Sequence, residues 1–198
     1  MSDSESQGLD PRIASLMLGG QVLIDVGCGA GKALDELSRS YDVAIGLDVN
    51  TKRLAERLDP LTDWYFILSD LNSYFPFQSQ SADAVHANQV IEHIGDPRFF
   101  AAEIHRILRR GGVAVITTPN VRYIKHLFRL CVRGLGPQTA GGNTLDGPWD
   151  DGHIHYFTHH DLRGGKKKLI IRSLFDHFAS TYFVRVFLSG CILVVARK

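Results

Sequence analysis

Hydrophobic and polar positions along the chain fall into two alternating patterns. Short apolar runs recur at Val22–Ile24, Val43–Leu47, Asp63–Leu68, Ala82–Ala87 and Val113–Thr118, and the first two end at an acid, Asp25 and Asp48. Each has the length and content of a buried strand. Between them the apolar period lengthens to that of a helix. Such stretches run from Lys32 to about Ser38, over Thr51–Leu58, and from Asp96-Pro97 through Phe99, Phe100, Ile104, Ile107 and Leu108, with Arg109–Gly112 as the predicted stop. A short helix, Asp10–Leu18, precedes them, with Asp10 as N-cap and Pro11 in the first turn. Strand and helix alternating in this way predict an α/β fold with a doubly wound, mostly parallel sheet. The tail breaks the pattern. Tyr182–Leu188 and Cys191–Ala196 flank Ser189-Gly190, which predicts a hairpin and an antiparallel strand at the end of the sheet.

Composition narrows the class. The chain has 198 residues, 44% hydrophobic and 22% charged, which suits one domain over 1–198 with its own core. Residues 1–8 are polar and are expected to be disordered. A net charge of +1 gives no global field for nucleic acid. Cys28, Cys131 and Cys191 are too few and too scattered for a disulfide framework or a cysteine zinc site. With no signal pattern and no apolar run of transmembrane length, the expected setting is cytoplasmic.

The chemistry starts at Asp25-Val-Gly-Cys-Gly-Ala-Gly31. Three glycines between a strand and a helix expose main-chain N–H groups at the carboxyl edge of the sheet. The spacing is G-x-G-x-G rather than the dinucleotide G-x-G-x-x-G, and Asp25 before it would repel a pyrophosphate. It suits a ligand with a positive group, an ammonium or a sulfonium. Asp48, ending the second apolar run, stands where an acid takes a ribose diol.

Ile24–Gly31 resembles the cofactor loop of the class I S-adenosylmethionine-dependent methyltransferases, in a type 11/23-like subgroup. The resemblance runs from about Gln21 to Leu162 and implies a Rossmann-like, seven-stranded sheet with a C-terminal antiparallel hairpin strand. By position it implies cofactor contacts at Asp25, Gly27, Cys28, Gly29, Gly31, Asp48, Val49, Asp70, Leu71 and Asn88, with Asp70 for the adenine amino group. Tyr74–Phe77 matches the family's apolar loop, and Pro119-Asn120 its T-P-N.

The acceptor side is expected in a lid over about 121–161. Val121–Arg133 reads as an amphipathic helix with Arg122, Lys125, Arg129 and Arg133 on one side, either a solvated lid or a peripheral membrane contact. His153, His155, His159 and His160 crowd the segment before Leu162, and Thr158 is a candidate N-cap. His93, His153 and His155, then His86, are the candidate bases for taking the acceptor's proton. Looser similarity to the small-RNA and ubiquinone-pathway O-methyltransferases brings in their E-x-x-E-H motif, which holds a divalent cation. Here Gln89 replaces the first acid, so no metal is assigned, and Glu92, His93 and His153 are the group that would hold one. A looser similarity to the methionine-biosynthesis methyltransferase-like protein adds a partner-protein alternative. Arg163–Lys168 interrupts the family's next helix, which is either short or shifted to 169–178. The functional expectation is an S-adenosylmethionine-dependent O-methyltransferase for a small-molecule or lipid-linked acceptor. The alternatives are a cofactor-binding partner without turnover and a metal-dependent RNA methyltransferase. Oligomeric state is not legible.

Overall fold

The structure, a computed structural model, describes residues 9–51, 63–134, 153–158, 162, 170–173 and 190–198. Its elements in chain order are α1 (Pro11–Leu16), β1 (Gly20–Val26), α2 (Lys32–Leu37) with a 3₁₀ turn at Ser38–Ser40, β2 (Tyr41–Asp48), β3 (Tyr65–Leu68) and β4 (Ala82–Asn88). There follow a 3₁₀ turn at Ile91–His93, α3 (Pro97–Ile107), β5 (Leu108–Pro119), α4 (Ile124–Arg133), β6 (Ile170–Ser173) and β7 (Cys191–Arg197).

The strands form one seven-stranded sheet in the order β3-β2-β1-β4-β5-β7-β6. The first five are parallel, and β7 runs antiparallel to both neighbours. The chain reverses direction across the sheet between β1 and β4, so a crevice opens at their carboxyl ends, where ligands of such folds bind. Alternate strand residues serve two cores. Ile24, Val85, Ile116 and Val194 pack with Phe100, Ile104 and Ile107 of α3. Leu23, Ala84, Val115 and Leu193 pack with Ile13 and Met17 of the α1 side and with Leu34 and Leu37 of α2. Asp10 caps α1 by accepting from Arg12 N at 2.9 Å, and Asp96 caps α3 by accepting from Arg98 N and Phe99 N.

Two expectations are corrected. Helix α3 ends at Ile107, and Arg109–Gly112 belong to β5. The register jumps there, from Ala82 opposite Leu108 to Ala84 opposite Val113. Gly111, at φ +80°, donates its N–H to Lys198 O at 2.7 Å, so the end of β7 satisfies this backbone in place of a helical turn. The antiparallel strand expected at the end of the sheet is present as β7, which pairs with β5 on one side and with β6, Ile170–Ser173, on the other. That strand also displaces the helix considered for 169–178, as adjacent β-branched Ile170 and Ile171 favour. The 182–188 run, the 1–8 segment, most of the 51–58 helix, Trp149, His159, His160, Asp161 and Arg163–Lys168 lie outside the described residues. Among the described residues no helix is long and apolar enough to cross a membrane.

Candidate functional site

The glycine loop is fastened to the next strand before it turns. Gly27 N and Cys28 N both donate to Leu47 O, at 2.7 and 3.0 Å. Gly27, Gly29 and Gly31 all adopt left-handed φ, at +74°, +55° and +76°. A Cβ on Gly27 would overlap Val90 Cγ2, and one on Gly31 would overlap the Trp64 ring. Gly29 is different, since nothing stands within 4 Å of where its Cβ would be. The loop is therefore packed from below at its ends and open at its middle, a main-chain surface that a ligand can approach. Asp48 seals its side, accepting from Gly29 N at 2.7 Å and Asn50 N at 2.8 Å. Beside it Val49 is 66% exposed.

Asp25 is placed otherwise than its sequence position alone suggests. Its carboxylate is 2% exposed and takes a 2.7 Å hydrogen bond from His86 Nδ1 across the β1–β4 pairing. His86 is thereby corrected as a base candidate: at 1% exposure it is closed to an acceptor. Asp70 is exposed and accepts from Asn72 N and Nδ2 at 2.9 and 3.2 Å, bonds that hold its carboxyl below the usual carboxylate range. Leu71 turns its side chain into the core. Asn88, exposed at the end of β4, accepts from Thr117 Oγ1.

A second group stands at the ends of β4 and β5. Glu92 is fully buried; Oε2 accepts from Thr118 Oγ1 at 3.0 Å, and Oε1 is buried with no partner among the described residues. Burial raises its pKa. The 153–158 segment docks on it, because Ile154 N and His155 N both donate to Glu92 O at 3.0 Å and Val121 N donates to Phe157 O at 3.3 Å. This brings His153 against His93, ring centroids 5.0 Å apart. One ligand atom each of Glu92, His93 and His153 lies within 4.8 Å of the others. Burial, then the neighbouring His93 and His126, lower the His153 pKa, so its imidazole is neutral near pH 7 and able to accept a proton. His155 instead packs its ring on Phe157 at 5.9 Å. Gln89, held at φ +56°, turns its amide to Thr117 on β5.

Residues 24–116 match the methyltransferase domain family, from the end of β1 into β5. The trans-aconitate 2-methyltransferase of Variovorax paradoxus is 33% identical over 107 residues, covering 50% of this chain and 39% of that protein. The ubiquinone biosynthesis O-methyltransferase of Vibrio atlanticus is 27% identical over 115 residues, 56% of this chain and 48% of that one. The crystal structure of an S-adenosylmethionine-dependent methyltransferase from Mesorhizobium loti superposes over 95% of this chain and 96% of its own, with TM-score 0.64 and 18% identity, and so shares the fold. Over residues 24–116 the chain is similar to the S-adenosylmethionine-dependent methyltransferases, and it shares their fold. It spans 39% and 48% of the length of the two curated relatives above, and the matched family region stops before α4.

For such a domain the observed loop fits its cofactor. The open surroundings of Gly29, a carboxylate at the end of β2 and the exposed Val49 rim offer the main chain, an acid for a diol and an apolar edge for a purine. Sequence reasoning missed the supports of this methyltransferase site. Val90 and Trp64 set the loop's clearance, and Trp64 is itself fixed by donating from Nε1 to Asp35 at 3.1 Å. Arg106 donates to Phe77 O and Phe75 O at 2.7 and 3.0 Å, and its partner Glu103 accepts from Phe75 N at 2.9 Å, clamping the apolar loop that follows Asp70. The only sequence signal for that clamp was a Glu-Arg pair one helical turn apart.

Proposed function

We propose that the domain transfers a methyl group from S-adenosylmethionine to an oxygen of a small-molecule or lipid-linked acceptor. The observation that carries this is the placement of the Glu92–His93–His153 group at the same sheet edge as the glycine loop. When bound, the cofactor supplies an electrophilic methyl on a sulfonium. The main chain of Gly27, Cys28, Gly29 and Gly31 would hold it, with Asp48 on the ribose and Val49, Asp70, Leu71 and Asn88 along the rim. His153 accepts the acceptor's proton, since its neutral state at pH 7 leaves a lone pair for a hydroxyl. His93 orients that ring, and His155 acts through its main-chain bond to Glu92. Likeness to a ubiquinone biosynthesis O-methyltransferase supports oxygen as the acceptor atom.

The same three side chains have the spacing of a cation site, which supports a second, metal-assisted form of this reading. In that form Glu92, His93 and His153 would hold a divalent cation, which would supply Lewis acidity to an acceptor hydroxyl. Calorimetry with S-adenosylmethionine and S-adenosylhomocysteine, with and without magnesium or zinc, followed by turnover on phenol, catechol and carboxylate acceptors, tests both. Micromolar binding with turnover supports the methyltransferase, and a metal-dependent gain supports the second form. Binding without turnover on any acceptor favours a cofactor-binding partner protein, and no binding ends the proposal.

A further inference from the structure

One buried pair has no task in the mechanism above. Asp25 and His86 are opposite each other on adjacent parallel strands, so both side chains leave the sheet on one face. They meet at 2.7 Å with side-chain exposures of 3% and 1%. A carboxylate that deep is strongly destabilising unless something donates to it. His86 Nδ1 is the donor that the described residues show, and it engages Oδ1. His86 Nε2 is buried and has no partner among them. The pair stands two residues before Gly27, and the charge of Asp25 reaches Cys28 in the loop itself.

We propose that His86 is a positioning residue for the amino-acid end of the cofactor: by fixing Asp25 through Nδ1, it holds a negative charge at the first glycine of the loop, where a ligand ammonium is read, without touching the ligand. This rests on the cofactor reading above. The donor must sit at the Nδ1 position, which is what separates this role from mere filling of the core.

The test compares two ligands that differ only at that end: S-adenosylhomocysteine, which carries the ammonium and the carboxylate, and 5′-methylthioadenosine, which lacks both. Asparagine places its amide about where Nδ1 lies, and glutamine about where Nε2 lies. H86N is expected to bind both ligands as the unaltered protein does. H86Q loses about tenfold for S-adenosylhomocysteine, the scale of one hydrogen bond to a charged group, and nothing for methylthioadenosine. D25N, the same shape without the charge, shows the same selective loss and decides the matter if H86Q does not fold. Equal losses for the two ligands, or none in H86Q and D25N, overturn the proposal. Failure of the unaltered protein to bind S-adenosylhomocysteine overturns the cofactor reading itself and is settled before any variant is made.

Discussion

At the scale of single residues, Gly27 is held by two independent constraints. Its φ of +74° disfavours any side chain, and a Cβ would overlap Val90 Cγ2. Gly27→Ala should destabilise by about 1–3 kcal/mol and abolish measurable S-adenosylhomocysteine binding. Adding Val90→Ala should recover only part of the stability, because space returns but the backbone strain does not; melts of the three proteins check this. Glu92 carries the opposite tension. Its folded-state pKa is raised, so above the ordinary glutamate pKa the unfolded chain releases a proton that the folded chain keeps, and folding loses stability as pH rises through that window. Glu92→Gln keeps an acceptor for Thr118 and removes the ionisable group. It should raise Tm at pH 7 by about 2–4 °C, equivalent to on the order of 1 kcal/mol, while lowering turnover. For the half-buried His126 and His153 the sign reverses. Their folded pKa values are lowered, so the unfolded chain binds more protons once pH falls below about 6.5, and stability drops with pH across that range. A Tm series from pH 7.5 to 5.5 should slope downward, and less steeply in His153→Gln.

At the scale of elements, the Arg106–Glu103 pair on α3 holds the 75–77 loop by its backbone. Arg106→Ala leaves Glu103 buried without its cation and should cost about 2–4 kcal/mol. If the loop backs the adenine pocket, adenosine affinity measured by calorimetry should fall with it, whereas affinity for free homocysteine should not. Element type was legible wherever one physical signal dominated. The apolar runs of β1, β2, β4 and β5 announce themselves because burial on both faces demands continuous hydrophobicity. The caps at Asp10 and Asp96 follow from the geometry of orphan N–H groups. The end of α3 was misread because Arg109–Gly112 looks locally like a helix stop, and only the distant Lys198 shows that its backbone is spoken for by a strand. β6 was missed for the same reason, being four residues whose partner is decided by the sheet. Within the site, the loop and Asp48 were legible because ligand approach requires glycine and diol recognition an acid. The partner of Asp25 was not, since a contact 61 residues away leaves no local pattern.

At the scale of the whole molecule, the sheet divides the work. The family match covers residues 24–116 and leaves the half from α4 onward outside it. The two halves meet where the 153–158 segment bonds to Glu92 O and Asn120 pairs with Phe157. S-adenosylhomocysteine at a hundredfold excess over its Kd should stabilise the folded state by about 2.7 kcal/mol and raise Tm by roughly 5–10 °C, read in a thermal shift assay. The position of β7 has a consequence for synthesis. It is not an edge strand but fills the gap between β5 and β6. At ribosomal rates of about 5–20 residues per second, the roughly 70 residues between β5 and β7 take on the order of 4–14 s to emerge. Throughout that interval the apolar strand Val113–Thr118 shows an open hydrogen-bonding edge to its surroundings, an aggregation liability. Nascent chains stalled before Cys191 should therefore be the species that chaperones hold most avidly, and their release should coincide with delivery of the strand that closes the sheet.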